Sequence, residues 1–289
     1  MEPNSDNFQR TLAEPVTISG TGLHSGDSVK VILHPAEEDV GIVFAANGQR
    51  VAGLAANVVE TARGTTIGLN GARFRTVEHL MAALHGLGVD NSYVEVQGSE
   101  MPALDGSAIP YVDAIGAAGT VELSKRRNML SLQEPVWVEG KDSFILAVPS
   151  NQLKITYIMR YEHPLIGRQT ATFILNESSF KQEIAPARTF VVYEELPGLV
   201  SQHLAQGGSL ANTIVIWRDR LSSDLRFPDE LARHKVLDLV GDLALLGGRI
   251  AAEILAVKSG HALNVEFVRK LTEHLATGEN REAALLAVS

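Results

Sequence analysis

A histidine and two aspartates follow one another at intervals of four residues between Arg226 and Asp242. They are His234, Asp238 and Asp242, and on a helix such side chains lie on roughly one face. Buried imidazole and carboxylate groups need partners, and a divalent metal ion is one candidate. A hydrogen-bonded His–Asp pair is the other interpretation, and on these residues alone it is the more common one.

The segment that carries this stripe has the signals of a helix of about five turns. Pro228 suits the first turn, Asp229 and Glu230 complement the positive end, and Gly247-Gly248 is a natural stop. Much of this helix should be buried, because apolar residues surround the polar stripe: Leu231, Val236, Leu237, Leu239, Val240, Leu243, Leu245 and Leu246.

A second helical pattern begins near Glu78-His79. Thr76 is predicted to be its N-cap, which leaves Glu78 and His79 in the first turn. Adjacent side chains on a helix diverge by about 100°. One helix can therefore present an imidazole to a metal ion and a carboxylate to the water beside it. A glutamate in the first turn is also ordinary helix capping, so this pair alone does not identify a metal site. Near the other end of the helix, His85 is predicted to interact with the C-terminal helix dipole.

Two glycine-containing segments hold further histidines. The loop Gly20–Gly26 contains His24, which we rank as a possible neighbour of a site and no more. Lys258–Asn264 is predicted to be a turn that presents His261. A closing helix is expected from Val265 to Leu275.

Composition limits the class of protein. The chain has 289 residues, 45% of them hydrophobic, and a formal charge of −9, which argues against a nucleic-acid partner. It has no cysteine, so His, Asp and Glu are the available metal ligands. We find neither a signal peptide nor an apolar run long enough to span a bilayer, and we expect a cytoplasmic monomer.

Strand-like alternation dominates both halves of the chain, and the charged run Lys125-Arg126-Arg127-Asn128 is the best boundary between them. We expect domains at 1–126 and 127–289. The apolar series from Leu196 to Ile216 is either ordinary core, which we favour without further context, or the wall of an apolar ligand channel.

Six blocks together resemble one family, from about residue 9 to 270. That family is UDP-3-O-acyl-N-acetylglucosamine deacetylase, the zinc hydrolase of lipid A biosynthesis. The resemblance implies an α+β fold with two domains of similar topology. Each domain would be a sheet packed on a helix pair, with the active site between the two domains. The blocks are Thr76–Leu84, Leu104–Ala108, Ala187–Phe190, Gly207–Ser209, Arg233–Asp242 and Lys258–Asn264.

The resemblance also implies roles. A catalytic zinc would be bound by His79, His234 and Asp238. Glu78 would be the general base, Thr189 an oxyanion donor, and His261 a cation or acid oriented by Asp242. Lys235 would contact the substrate's phosphates or sugar and assist catalysis, and Phe190 would pack against the sugar. The insert at about 191–216 would form an acyl channel, which reverses our preference for core; its channel residues are Leu196, Leu204, Ser209, Leu210 and Val215.

The chain departs from the family pattern after Phe190. Val191-Val192 and Glu194-Glu195 replace the common Gly-Phe and Arg-Asp, Pro197-Gly198 is expected to interrupt a helix, and Ala211 replaces a frequent Asp. Two other hypotheses are open, and the altered segment motivates the first of them. One is a paralogous metal-dependent deacetylase for another N-acyl sugar nucleotide. The other is a non-catalytic scaffold that binds sugar nucleotides or lipids.

Overall fold

The computed structural model describes residues 8–127 and 129–286, with side chains to residue 276. Strands and helices are mixed along the chain, and the α+β class is confirmed. The strands are Phe8–Leu12 (β1), Val16–Thr21 (β2), Ser28–Pro35 (β3), Ile42–Ala46 (β4), Gln49–Ala52 (β5), Val58–Glu60 (β6), Thr66–Leu69 (β7), Ala72–Phe74 (β8), Ser92–Gln97 (β9), Thr120–Arg126 (β10), Met129–Ser131 (β11), Val136–Glu139 (β12), Phe144–Pro149 (β13), Lys154–Arg160 (β14), Arg168–Ile174 (β15), Phe190–Val192 (β16), Ile214–Ile216 (β17) and Arg249–Val257 (β18). The helices are Glu78–Gly86 (α1), Ile109–Ala118 (α2), Glu177–Ser179 (α3), Leu196–Ser201 (α4), Glu230–Leu243 (α5) and His261–Leu286 (α6).

The two large sheets share a five-strand order, and the second has a sixth strand, β11, which pairs in parallel with β18. In the first, the strand order is β2-β3-β9-β4-β5, and in the second it is β12-β13-β18-β14-β15. The third strand of each order is the last in sequence, and it pairs in parallel with the fourth and antiparallel with the second. Each of these late strands lies between two helices in sequence, α1 and α2 around β9 and α5 and α6 around β18.

Helices α1 and α5 pack against each other, and each also contacts its sequence partner, α2 or α6. Every residue of α1 is buried, and α5 is buried except at Arg233 and Lys235. The two backbones approach closely at Gly241, where an added Cβ would lie 2.0 Å from the carbonyl oxygen of Glu78. A glycine at this position therefore lets the start of α1 reach the face of α5 that carries the polar stripe.

Several local expectations change. Helix α5 starts at Glu230 and not at Pro228, and a short 3-10 turn extends it to Leu246 before Gly247 takes a left-handed φ of 75°. The last helix begins at His261, four residues before the expected Val265. The domain boundary near residue 126 stays a prediction, although β10 ends there.

The predicted cap of α1 is wrong. Thr76 has a left-handed φ of 56°, Val77 occupies the capping position, and the Thr76 hydroxyl donates to buried Glu100 instead. Glu78 and His79 nevertheless lie in the first turn, as expected. No helix in the described part of the chain combines the length and apolar character that crossing a bilayer requires.

Candidate metal and catalytic site

Three candidate metal ligands converge from two helices. His79 lies at the start of α1, and His234 and Asp238 lie one turn apart on α5. Asp238 Oδ1 lies 3.6 Å from His79 Nε2 and 3.4 Å from His234 Nε2, and one ligand atom from each residue lies within 4.8 Å of the others. Ligands at 2.0–2.1 Å from a tetrahedral zinc are about 3.3 Å apart, so the set fits one such ion.

The surroundings hold His234 in the form that binds a metal. Its Nδ1 donates to the carbonyl oxygen of Ala187 at 3.0 Å, which leaves Nε2 with a lone pair directed at the site. Burial, assisted by nearby His79 and Lys235 and opposed by Asp238, lowers the pKa of His234 to about 4. The imidazole is therefore neutral at physiological pH.

Asp238 is held as a carboxylate. Lys235 Nζ donates to Asp238 Oδ2 at 2.8 Å, so Oδ1 remains for the histidines or an ion. Burial alone would raise the pKa of Asp238, but Lys235 and His234 bring it well below its usual value. Lys235 is thus partly buried and paired with a candidate ligand, not extended into solvent, and its Nζ lies 5.7 Å from the ring centre of Phe190.

Glu78 is buried beside these ligands. Its Oε2 accepts a hydrogen bond from the backbone N–H of Thr65 at 2.9 Å, and its Oε1 lies 3.9 Å from His261 Nε2. Burial raises the pKa of Glu78, although the His261 and His79 charges oppose that shift. A carboxylate made more basic in this way is suited to accept a proton.

His261 and Asp242 form a hydrogen-bonded pair. Nδ1 of His261 lies 2.9 Å from Oδ2 of Asp242, which also accepts from the Asn264 side-chain amide at 2.9 Å. Burial alone would lower the pKa of His261, but Asp242 and Glu78 raise it to about 10. The imidazole is therefore a cation near neutral pH, with its Nε2–H facing Glu78.

These groups open onto one cleft, which residues from both halves of the chain line and which has a volume of about 430 Å³. Both imidazole ligands and Asp238 line it, and so do Glu78 and His261. The remaining lining residues are Leu23, Thr61, Arg63, Thr76, Ser143, Thr189, Phe190, Lys235, Gly260, Ala262 and Leu263.

Thr189 and Phe190 are positioned by strand β16. The backbone N–H of Thr189 donates to Gly106 at 2.8 Å, and its carbonyl accepts from Ile214 at 2.9 Å, so its side chain is placed at the cleft. The preceding Arg188 donates to the buried carboxylate of Glu230, which fixes β16 against the start of α5.

The predicted channel residues do not line this cleft. Val215 is buried with Val191 and Leu199 in a small separate cluster, and Leu196 and Leu204 pack against it. Ser209 and Leu210 are exposed, Leu210 with 63% of its surface. Their role in a channel therefore stays a prediction.

The altered residues of the insert have defined places. Pro197 does not interrupt a helix, because α4 begins at Leu196 and places this proline in its first turn, where no N–H is needed. Glu195 pairs with Arg63 of the opposite wall at 2.6 Å, so one departure from the family pattern joins the insert to the lip of the cleft.

His24 and His85, the other two histidines considered in the sequence analysis, are not among the residues that line the cleft. His24 contacts the Arg63 carbonyl through Nε2 at 3.2 Å and accepts from the Ala205 N–H at Nδ1, so it joins the first loop to the insert. His85 is not a cationic partner of the helix dipole, because burial and the Arg249 and Arg127 charges bring its pKa well below its usual value.

Two residues of the site carried no usable sequence signal of their own. Asn264 is the last residue of the block Lys258–Asn264, but nothing in the sequence distinguished its amide as a partner of Asp242. Thr65 belongs to none of the blocks and contacts both Glu78 and Asp242, which are 13 and 177 positions away. Only the tertiary contact identifies it.

Comparisons with known proteins agree with one another. A family profile described as UDP-3-O-acyl N-acetylglycosamine deacetylase matches residues 9–273. A Chlamydia muridarum protein is 43% identical over 273 residues, covering 92% of this chain and 96% of its own length. A Syntrophotalea carbinolica protein is 42% identical over 270 residues (91% and 87%), and one from Thermodesulfovibrio yellowstonii is 40% identical over 269 residues (92% and 92%). All three are named UDP-3-O-acyl-N-acetylglucosamine deacetylase.

Proposed function

The chain belongs to the UDP-3-O-acyl N-acetylglycosamine deacetylase family, and from that premise we propose that it removes the N-acetyl group of UDP-3-O-acyl-N-acetylglucosamine in a zinc-dependent hydrolysis. The products are acetate and UDP-3-O-acyl-glucosamine. Membership makes the chain a deacetylase; the metal, the substrate and the pathway are the proposed part. The reaction would be the committed step of lipid A biosynthesis, carried out in the cytoplasm by a monomer.

One observation carries the proposal: two imidazole nitrogens and a carboxylate oxygen converge beside a basic carboxylate and a cationic imidazole. His79, His234 and Asp238 would hold the zinc, whose chemistry when bound is that of a Lewis acid that also makes a water more acidic. Three protein ligands leave a fourth position open, which is typical of catalytic and not of structural zinc.

Different side chains of the protein would accept and donate the protons of the reaction. Glu78 accepts a proton as water adds to the acetamide carbon, because its burial makes its carboxylate basic. Thr189, which also lines the cleft, donates a hydrogen bond to the oxyanion. His261 holds its Nε2–H toward the same space and gives a proton to the nitrogen as the C–N bond breaks, while Asp242 orients its ring.

The remaining substrate contacts follow from the cleft wall. Phe190 presents an aromatic face suited to pack on a sugar ring, and Lys235 places a positive charge beside it for a phosphate. The acyl chain is proposed to lie along the apolar cluster of the insert, made of Val191, Leu199 and Val215 with Leu196 and Leu204.

The experiment that tests this function measures bound metal and acetate release on the same purified protein. We expect about one zinc per chain, loss of turnover after chelation, and recovery when zinc is returned. Turnover of UDP-3-O-acyl-N-acetylglucosamine that is unchanged by chelation would refute zinc dependence. Binding of that substrate with no acetate release would instead support a scaffold.

A parallel assay with UDP-N-acetylglucosamine tests the acyl contact. We expect much slower turnover without the acyl chain, because its apolar contacts are lost. Equal rates on the two substrates would remove the channel from the proposal and favour a deacetylase for another N-acyl sugar nucleotide.

A further inference from the structure

Thr65 stands where the two proton-transferring groups of the site meet. It is fully buried, it immediately precedes β7, and its carbonyl accepts from the backbone N–H of Val77, just before α1. On the premise of the deacetylase function proposed above, we propose that Thr65 is a positioning residue that couples the base Glu78 to the His261–Asp242 pair.

The side chain of Thr65 acts on the acid. Its Oγ1 donates to Asp242 Oδ1 at 2.6 Å, and the same oxygen lies 3.3 Å from His261 Nδ1. A threonine hydroxyl has one hydrogen, and Asp242 takes it, so toward His261 the oxygen only accepts. Both partners of His261 Nδ1 therefore accept a hydrogen bond, and together they keep the proton on Nδ1 and fix the plane of the ring.

The backbone of Thr65 acts on the base. Its N–H donates to Glu78 Oε2 at 2.9 Å, which leaves Oε1 as the oxygen that faces His261 Nε2, 3.9 Å away. Because the N–H and the hydroxyl belong to one residue, the spacing between the base and the acid is set by the geometry of a single amino acid.

The hydrogen bonds to Asp242 matter because its carboxylate is buried. Asp242 is completely buried, and a carboxylate without water depends on its donors: Thr65 on one oxygen, and Asn264 and His261 on the other. Oδ1 accepts a hydrogen bond from Thr65 alone among the described residues. Loss of the hydroxyl leaves that oxygen unpaired, and the carboxylate is then free to rotate away from His261.

The chain offers a matched set of variants. Thr65→Val removes the hydroxyl at nearly constant volume and keeps the N–H to Glu78, whereas Thr65→Ser keeps both. Thr66→Val is the control, because Thr66 is also buried and its hydroxyl makes no hydrogen bond to any described residue. We expect Thr65→Val to lower kcat by about 10–100-fold with KM nearly unchanged, Thr65→Ser to restore most of kcat, and Thr66→Val to match wild type.

A double-mutant cycle with Asp242→Asn separates coupling from general disruption. If Thr65 acts through Asp242, the cost of Thr65→Val shrinks to about threefold or less in the Asp242→Asn background. Wild-type kcat in Thr65→Val, no recovery in Thr65→Ser, or full additivity in the cycle would each overturn the proposal. If Thr65→Val does not fold, as judged by circular dichroism, the cycle is run with Thr65→Ala. An inactive wild type would instead refute the deacetylase function, so the two failures are distinguishable.

Discussion

At the scale of single residues, the site places a carboxylate and an imidazole in one buried space and shifts both toward the protonated form. Burial raises the pKa of Glu78, and Asp242 and Glu78 raise that of His261 to about 10. A general base works best when its pKa approaches the working pH, and an acid must hold its proton until the leaving group forms. The two shifts suit the two roles assigned to these residues.

The first prediction concerns Glu78. Glu78→Gln keeps the shape and the bond from the Thr65 N–H but removes the proton acceptor. We expect kcat to fall by about 10²–10⁴-fold, the usual contribution of general base catalysis, with little change in KM. Acetate release at saturating substrate measures it. Wild-type turnover in this variant would mean that another group takes the proton.

The second prediction concerns the charge of His261 in the chelated, metal-free protein. Its folded pKa of about 10 exceeds the value of about 6.5 expected when unfolded. The pair with Asp242 therefore stabilises the fold fully below about pH 6.5, and this contribution is lost as pH rises toward 10, at up to about 1.4 kcal/mol per pH unit. Urea unfolding between pH 6.5 and 10 measures the slope.

Asp242→Asn is the comparison for that slope. It removes the charge that does most to raise the pKa of His261, so the free energy of unfolding should fall less steeply with pH than in wild type. If the free energy of unfolding falls equally steeply with pH in wild type and in Asp242→Asn, the His261–Asp242 pair is not the cause of the pH dependence.

At the scale of elements, the contact between α1 and α5 decides whether the ligands meet. Each helix carries only part of the set, and the set is complete because the two backbones approach closely at Gly241. A larger residue there would separate the start of α1 from the ligand face of α5. The glycine is thus required by packing between helices and not by its own backbone angles.

The third prediction follows from that contact. Gly241→Ala places a methyl group 2.0 Å from the Glu78 carbonyl oxygen, and we expect it to destabilise the fold by about 1–3 kcal/mol and to weaken zinc binding. Gly116→Ala is the matched control: it also lies within a helix, but it is exposed and its added Cβ has nothing within 4 Å. That change should stabilise the protein by about 0.5–1 kcal/mol.

Chemical denaturation and metal content measured on both glycine variants decide the matter. If Gly241→Ala is as stable as Gly116→Ala and retains its zinc, close helix packing is not what assembles the ligand set.

At the scale of the whole molecule, two sheets of identical strand order each present a helix to the shared cleft. The first half of the chain contributes His79 and Glu78, and the second contributes His234, Asp238 and His261. An ion bound by ligands from both halves exists only when they are packed together, so its binding free energy adds to the stability of the assembled fold.

The fourth prediction tests this linkage. Zinc at about a hundredfold excess over its Kd should stabilise wild type by about 2.7 kcal/mol and raise Tm by several degrees. His79→Ala, which removes the only ligand from the first half, should show little shift. His34→Ala is the control, since this histidine pairs with Glu95 at the surface, away from the site. An equal shift in His79→Ala would place the zinc elsewhere.

The candidate residues, the two helices that carry them and the family could all be predicted from the order of amino acids alone. Spacing of four residues on a helix is local geometry, so it predicts that His234 and Asp238 share a face; the order of the six blocks identifies the deacetylase family. Positions such as Thr76 and the start of α6 were predicted less well, because long-range contacts of Thr76 with Glu100 and packing of His261 on Asp242 override local capping preferences.

Which groups meet in the site depends on contacts between segments that are distant in the chain. Glu78 and Asp242 are far apart in the chain, and Thr65 joins them through one hydroxyl and one N–H that no spacing or motif reveals. Local sequence patterns predict the secondary structure of a segment and which of its side chains share a face. Contacts between segments depend on how α1 and α5 pack, and that packing is settled by the whole core and not by any single stretch of sequence.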